Sequence, residues 1–266
     1  MVQHGSTLTS ETRMSTIPVY NSEGKEIEVV VFAHNAPRGK KPLKPLMFIH
    51  GWGLSPKSYH RPLSALAGEH AVYAPTLPGF GKSSKLRKNF TLDDFAQVVH
   101  EAWEGCDLPG KKVPIVAHSM GSGVAVKLSL RAAPLVKSLT LVCPIGGGGN
   151  FVSWPHLIES FRNDATYDMF THAIDSLPSL LRNPRGAARS AWLAKTAHLE
   201  KDIRICVASG IDVRIVFATK DSITPPGAIR KIEGVKYLSV PGTHGWLLKE
   251  PELFRDIVYR GSFAEV

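Results

Sequence analysis

Short apolar runs that alternate with helix-forming stretches limit the folds open to this chain more than any other feature. The runs are rich in Val, Ile and Leu and mostly lack polar alternation, which is typical of strands covered on both faces. They are "EIEVVVFA", "LMFIH" (46–50), "AVYAP" (71–75), "VPIVA" (113–117), "SLTLVC" (138–143), "VRIVFAT" (213–219) and "VKYLSV" (235–240). Because strands separated by helices form βαβ units, the pattern predicts an α/β fold with a mostly parallel sheet flanked by helices.

Two stretches between these runs carry helix-start signals. Thr91, with Asp94 three residues later, has the pattern of a capping box and opens a segment with apolar side chains at helical spacing. Thr224 before Pro225 has the pattern of an N-cap followed by proline at the first helical position. We therefore expect one helix to begin after Thr91 and another after Thr224.

Residues 147–210 interrupt the alternation, because they carry helical patterns but no strand-like run. A helical insertion between two strands of a parallel sheet predicts a cap, or lid, over the carboxyl ends of the strands. Open α/β sheets bind their ligands at that edge. The alternative is that these helices only cover the sheet.

The chain length sets the domain organisation that we expect. A chain of 266 residues fits one large α/β domain and can bury a core without disulfides or metals. The polar residues 1–16 are predicted to form a flexible N-terminal segment. The core is predicted to comprise 17–146 and 211–266, with 147–210 as the helical cap.

The net charge of +9 narrows the range of partners. The basic clusters carry no nucleic-acid-binding motif, so we expect no nucleic acid, and solvated basic loops explain the charge. Peripheral attraction to anionic surfaces stays open.

No run approaches the roughly 20 apolar residues that span a bilayer, and the first residues lack the apolar core of a signal peptide, so we expect a cytoplasmic protein. The 3 cysteines form no C-x-x-C pair and indicate neither a zinc site nor a disulfide framework.

A candidate nucleophile stands in "AHSMG" (117–121), between a predicted strand and a predicted helix. The hydroxyl of Ser119 needs a histidine base and a carboxylate that orients the base. Asp221 and His244 each follow a later predicted strand, in the order Ser, acid, His that strand–elbow–helix hydrolases use. Since the carboxyl ends of parallel strands share one edge, the three side chains can converge. Asp212 is the nearest rival acid, but it precedes its strand and belongs at the opposite edge.

Donors for an oxyanion are also available at this edge. The loop "HGWG" (50–53) follows a predicted strand and can direct the backbone N–H of Trp52 toward the site. The backbone N–H of Met120 lies where a helix begins, so the helix dipole favours negative charge there. These groups act without a metal or a cofactor, and we expect neither.

Taken together, these motifs resemble the α/β-hydrolase superfamily, in its capped serine esterase and lipase branch. The resemblance covers about residues 17 to 262, and five segments in the expected order carry it. They are "HGWG", "LPGFGKS" (77–83), "AHSMG", the aspartate of "TKDSITPP" (219–226) and the histidine of "GTHGWLL" (242–248). The resemblance implies an eight-stranded, mostly parallel sheet with the helical cap inserted after the sixth strand.

The same resemblance implies roles for single residues. By position, Ser119 is the nucleophile, His244 the base and Asp221 the acid, and the backbones of Trp52 and Met120 are the oxyanion donors. The sequence departs from the usual pattern at Thr76, at Ala117 in place of the first elbow glycine, and at Ala218. None of these changes removes a reacting group.

The sequence therefore predicts an enzyme, a carboxylesterase or lipase that cleaves a small-molecule ester with an apolar acyl group. Aromatic and aliphatic residues of the cap are the candidate acyl pocket: Trp154, Phe161, Phe170, Leu177 and Trp192. Two alternatives stay open, a carbon–carbon bond hydrolase of the meta-cleavage product type and a ligand-binding receptor on the same fold. The physiological substrate and the oligomeric state are not determined by the sequence.

Overall fold

One sheet of eight strands organises the chain. The computed structural model describes residues 12–34, 43–85, 89–106, 112–147, 177–178 and 180–260. The strands are β1 (Thr12–Tyr20), β2 (Glu26–His34), β3 (Lys44–Ile49), β4 (His70–Pro75), β5 (Val113–His118), β6 (Val136–Val142), β7 (Asp212–Ala218) and β8 (Lys236–Val240).

The spatial order of the strands is β1-β2-β4-β3-β5-β6-β7-β8. The first two strands are antiparallel to their neighbours, and all later pairs are parallel. In the centre of the sheet, Phe48 of β3 lies opposite Val116 of β5. The mostly parallel, eight-stranded sheet that the sequence predicted is confirmed. Its topology places the ends of β3, β5, β7 and β8 along one edge.

Helices cover both faces of the sheet, and their bounds are as follows. The α-helices are α1 (His60–Leu66), α2 (Leu92–Glu104), α3 (Met120–Arg131), α4 (Pro184–Thr196), α5 (Glu200–Ala208), α6 (Trp246–Lys249) and α7 (Pro251–Arg260), with short 3-10 turns at Pro56–Tyr59 and Ala133–Leu135. One apolar cluster lies under α2, α3 and α5, a second lies under α1, α6 and α7, and a third joins β1, β2 and β4 to α2. The central strands are therefore buried on both sides, which explains their continuous apolar sequences.

Helix α2 begins as the sequence predicted. The side chain of Thr91 accepts a hydrogen bond from the backbone N–H of Asp94, and the Asp94 carboxylate accepts one from the backbone N–H of Thr91. This reciprocal capping box satisfies two backbone donors that a helix start leaves free. The buried face of α2 includes Phe95 and Val99, which anchor the helix on the sheet.

Two local expectations differ from the structure. Strand β1 begins at Thr12, inside the segment 1–16 that the sequence predicted to be flexible, because its backbone pairs with β2 along its whole length. Thr224 caps no helix. The residues after it form turns, because the carboxylate of Asp221 captures the backbone N–H groups of Ile223 and Thr224.

The described part of residues 147–210 consists mainly of α4 and α5. Ile203 and Cys206 of α5 are buried in the cluster under α3. Helix α4 lies next to the loop that follows β3, to which it is hydrogen-bonded. None of the helices among the described residues has the length and apolar character needed to cross a membrane.

Candidate active site

Three strands each deliver one polar side chain to the carboxyl edge of the sheet. Ser119 follows β5, Asp221 lies three residues beyond β7, and His244 lies four residues beyond β8. The parallel register of β5, β6, β7 and β8 brings these loops side by side. Residues 125 positions apart in the chain thereby come within hydrogen-bonding distance.

The backbone at Ser119 makes a sharp turn between β5 and α3. Its φ of 53° and ψ of −122° fall in a region that residues with a side chain seldom occupy. A β-carbon added at Gly121 would lie 2.4 Å from the carbonyl oxygen of Ile49 and 2.5 Å from that of His50. The turn therefore needs a glycine two residues after Ser119, where α3 passes β3. Ala117 is part of the regular strand β5 and is fully buried there.

His244 links Ser119 to Asp221. Its Nδ1 lies 2.9 Å from Oδ2 of Asp221, and its Nε2 lies 2.9 Å from Oγ of Ser119. Because a carboxylate only accepts hydrogen bonds, Nδ1 carries the ring proton of the neutral imidazole. Nε2 is then free to accept the hydroxyl proton of Ser119. The structure brings together the three residues that the sequence had selected.

The carboxylate of Asp221 is buried among donors. Oδ1 accepts the backbone N–H groups of Ile223 and Thr224, and Oδ2 accepts the hydroxyl of Thr224 as well as His244 Nδ1–H. Burial by itself would raise the pKa of Asp221, but the neighbouring His244 and the donors of Thr224 outweigh burial and lower the pKa to about 2. Asp221 is therefore ionised at neutral pH.

Thr224 is a member of the site that the sequence analysis misassigned. Its Oγ1 lies 2.8 Å from Asp221 Oδ2, 3.1 Å from the carbonyl oxygen of Cys143 and 3.3 Å from His244 Nδ1. The signal was present, because aspartate followed closely by Ser and Thr is typical of turns that fold back on the carboxylate. The Thr-Pro pair concealed it, since that pair also starts helices.

The loop after β3 is held by the side chain of His50. Its Nε2 accepts the backbone N–H of Leu77, so Nδ1 carries the proton and donates to the carbonyl oxygen of Gly51 at 2.8 Å. That carbonyl belongs to the peptide whose N–H is on Trp52. Since a peptide is planar, fixing the carbonyl also fixes the direction of the Trp52 N–H. Burial lowers the pKa of His50 to about 4, against the effect of its bond to Gly51, and keeps the ring neutral.

The indole of Trp52 connects the same loop to α4. Its Nε1–H lies 3.1 Å from the carbonyl oxygen of Ala187 and 3.0 Å from Oγ of Ser190. Met120 is the first residue of α3 and is fully buried. The backbone N–H groups of Trp52 and Met120 belong to the two elements that meet at Ser119.

The predicted acyl pocket is only partly within the described residues. Trp154, Phe161 and Phe170 lie outside them. Leu177 and Trp192 are 53% and 52% exposed, and the guanidinium of Arg189 lies over the Trp192 ring at 4.6 Å. These two side chains are therefore about half exposed to solvent in this structure.

A small depression lies between α4 and the loops that follow β6 and β7. Its cavity volume is about 10 Å³, which is room for about one water molecule. Its walls are mostly apolar and include Ile145, Ala194, Ile223 and Pro225, with Lys195 at one side. The loop that carries Asp221 forms part of this wall. Sequence reasoning missed it because its walls come from segments about 80 residues apart.

One group of potential metal ligands occurs among the residues that the structure describes. Ligand atoms of His118, Cys143 and His244 lie within 4.8 Å of one another. Both ring nitrogens of each histidine are already engaged in hydrogen bonds, and burial raises the pKa of the Cys143 thiol. A metal here would have to replace the contact between His244 and Ser119. The arrangement therefore suits proton transfer better than metal binding.

Comparison with known proteins gives consistent matches. Residues 44–172 match a family model described as alpha/beta hydrolase fold. A putative non-heme haloperoxidase of Mycobacterium phage D29 is 23% identical over 241 residues, covering 80% of this chain and 86% of the relative.

Solved structures agree over nearly the whole chain. A thermophilic esterase from Thermogutta terrifontis, solved with malate bound, has a TM-score of 0.70 at 18% identity, covering 93% of this chain and 97% of that one. A meta-cleavage product hydrolase from Pseudomonas fluorescens IP01 has a TM-score of 0.71 at 16% identity, covering 91% and 95%. At these identities the likeness shows the fold.

Proposed function

Since the chain belongs to the α/β-hydrolase superfamily, we propose that it is a serine hydrolase that cleaves a carboxylic ester. The observation that carries the proposal is the continuous hydrogen-bonded series from Ser119 through His244 to Asp221. A serine, a neutral imidazole and an ionised carboxylate in this order form an activated nucleophile. A carboxylate in place of Ser119 would support a different chemistry on this fold.

In the first half of the reaction, Oγ of Ser119 attacks the ester carbonyl carbon while Nε2 of His244 takes the hydroxyl proton. Asp221 stabilises the imidazolium through Nδ1–H. The carbonyl oxygen becomes an oxyanion, to which the backbone N–H groups of Trp52 and Met120 donate. Collapse of the tetrahedral intermediate breaks the bond to the alcohol oxygen, which leaves with the proton from His244. The acyl group stays on Ser119.

In the second half, water attacks the acyl carbon and gives one proton to Nε2 of His244. The second tetrahedral intermediate collapses when the bond between the acyl carbon and Oγ of Ser119 breaks, and a carboxylic acid is released. His244 returns the proton to Ser119, so the enzyme is regenerated and one water has been consumed. The apolar side chains in the sequence of residues 147–210 support an apolar acyl group as the preferred substrate portion.

A panel of p-nitrophenyl esters of increasing acyl length tests the proposal. We expect release of nitrophenol by the wild-type protein and a loss of at least about 10⁴-fold in kcat for Ser119→Ala. Ser129→Ala is the matched control, because Ser129 is a buried serine further along α3. The control should keep the wild-type rate.

Three results would contradict the proposal. Full turnover by Ser119→Ala would exclude the nucleophile. Absence of turnover on every ester, together with cleavage of a vinylogous diketone, would favour the carbon–carbon bond hydrolase. Failure of a fluorophosphonate probe to label Ser119, with intact folding, would favour a binding protein.

A further inference from the structure

A buried series of hydrogen bonds lies behind Ser119 and takes no part in the mechanism above. The hydroxyl of Tyr59 lies 3.0 Å from the backbone N of Gly51 and 2.8 Å from Nδ1 of His118. On its other side, Nε2 of His118 lies 3.0 Å from the backbone carbonyl oxygen of His244. The series therefore joins the loop after β3 to the loop after β8.

Chemistry fixes the direction of every proton in this series. A carbonyl oxygen only accepts, so Nε2 of His118 carries the ring proton and donates it to His244. Nδ1 of His118 is then an acceptor and takes the hydroxyl proton of Tyr59. The Tyr59 oxygen in turn accepts the N–H of Gly51. Of the two neutral tautomers of His118, only the one protonated on Nε2 makes all three bonds.

The surroundings keep His118 in that state. Tyr59 is fully buried and His118 is 3% exposed. Burial, followed by the charge interaction with His244, lowers the pKa of His118 to about 3, although the hydrogen bond to the His244 carbonyl acts in the opposite direction. The ring is therefore neutral throughout the range in which the site would work.

The packing around Gly51 leaves little freedom. A β-carbon at Gly51 would lie 3.0 Å from the Tyr59 hydroxyl, 3.1 Å from His118 Nδ1 and 3.3 Å from the β-carbon of Ser119. Tyr59 is held in turn by Phe48, whose ring centroid is 4.9 Å away. The hydroxyl of Tyr59 thus meets the loop of the oxyanion donor at the place where that loop touches the nucleophile.

Each end of the series is a backbone group that lies next to a proposed reacting group. Gly51 directly precedes Trp52, whose N–H is the proposed oxyanion donor. The carbonyl at the other end belongs to His244, the proposed base. We propose that Tyr59 and His118 are positioning residues that hold the oxyanion loop and the base in register with each other. This inference rests on the proposed function, because it assigns the two residues to the same ester hydrolysis.

Tyr59→Phe tests the series by removing one oxygen. With p-nitrophenyl butyrate, we expect kcat to fall about 10- to 100-fold, because small misplacement of an oxyanion donor weakens the transition state. KM should change by less than about threefold, because ground-state binding does not use this bond. Inhibition by butylboronic acid, which forms a tetrahedral adduct on serine, should weaken by about the same factor as kcat/KM.

Tyr237→Phe is the matched control. The Tyr237 hydroxyl also accepts a backbone N–H, from Ile232, but it lies on β8 before the carboxyl edge of the sheet. The control loses an equivalent hydrogen bond and should keep kcat and the butylboronic acid affinity. Thermal unfolding of both variants shows whether a loss of kcat in Tyr59→Phe comes with a larger loss of stability than in Tyr237→Phe. The inference is overturned if Tyr59→Phe keeps the wild-type kcat. It is also overturned if the loss of kcat in Tyr59→Phe is no larger than the loss of kcat in Tyr237→Phe.

The tautomer of His118 provides a test that needs no variant to fold. In wild-type protein labelled with ¹⁵N-histidine, His118 should be neutral and protonated on Nε2 from about pH 5 to 9. A charged ring, or a proton on Nδ1, would overturn the series. If Ser119→Ala kept full turnover, the proposed function would fail, whereas these ¹⁵N shifts would still report on the series itself.

Discussion

At the scale of single residues, the tightest constraint at the nucleophile is the space beside α3. Gly121 lies against the carbonyl oxygens of Ile49 and His50, and neither backbone atom can rotate away. The positive φ of Ser119 lies in the turn that brings α3 this close to β3. The strain at Ser119 is therefore maintained by the packing of its neighbour.

Gly121→Ala should break this packing. We expect the free energy of unfolding to fall by about 2 to 3 kcal/mol, since a methyl group must displace backbone in a filled core, and ester turnover to fall with it. Gly68→Ala is the control, because the nearest atom to a new β-carbon there is Ala65 O at 3.8 Å. Urea unfolding of both variants measures the difference. Equal stabilities would show that α3 can move away from β3.

Ala117→Gly should have little effect. Ala117 lies in regular β5, where its position needs no glycine, so the first elbow glycine of the family is not required for the turn. We expect kcat/KM for p-nitrophenyl butyrate to stay within about tenfold, or roughly 1.4 kcal/mol of barrier. A larger loss would mean that the buried methyl group of Ala117 helps to hold the elbow.

The sequence identified Ser119, Asp221 and His244 because each follows a strand that is unmistakable by its apolar pattern. Their order along the chain was then sufficient to place them together. Tyr59 offered no such signal, since an aromatic residue in a loop is usually part of the core. Its role depends on a hydroxyl direction, which only three-dimensional contacts reveal.

At the scale of elements, the loop after β3 and helix α4 act as one unit. The indole N–H of Trp52 bonds to Ala187 and Ser190 of α4, and the backbone N–H of the same residue is the proposed oxyanion donor. A shift of α4 would therefore move the loop that carries this donor.

Trp52→Phe should loosen this connection. We expect faster hydrogen exchange across Pro184–Thr196, because the helix loses its side-chain anchor, and a lower kcat for short esters. Trp103→Phe, in the buried face of α2, is the control and should leave exchange in α4 unchanged. Unchanged exchange in Trp52→Phe would show that other contacts fix α4.

The central strands were predictable from sequence, whereas β1 was not. The first five residues of β1 are exposed, so they carry no apolar pattern, and pairing with β2 alone holds them. The segment after Asp221 was also misassigned, because a buried carboxylate competes there with helix formation. The first difference arises from strand pairing across the sheet, and the second arises from hydrogen bonds between Asp221 and the backbone N–H groups of Ile223 and Thr224.

At the scale of the whole molecule, buried histidines make folding sensitive to acid, and His50 and His118 have the most strongly lowered pKa values among the described residues. Burial lowers the pKa of His50 to about 4 and that of His118 to about 3, whereas unfolded histidines titrate near 6.5. Between these values the unfolded chain binds more protons than the folded chain. Stability is therefore complete above about pH 6.5 and is lost as the pH falls toward 4.

We expect the free energy of unfolding to decrease by up to about 4 kcal/mol between pH 7.5 and pH 5, from two histidines at about 1.4 kcal/mol per pH unit each. Urea unfolding at both pH values measures it. His118→Gln should remove about half of the decrease, whereas His60→Gln, at an exposed position, should leave it unchanged. A flat pH dependence would mean that the two rings are accessible to protons in the fold.

The central claim is that Ser119 carries an acyl group during turnover. Acid quenching during the burst phase with p-nitrophenyl butyrate, followed by peptide mass spectrometry, measures this intermediate directly. We predict a butyryl adduct on the peptide that contains Ser119, nearly stoichiometric at early times and missing in Ser119→Ala. Turnover with no adduct on Ser119, or with the adduct on another residue, would contradict the account.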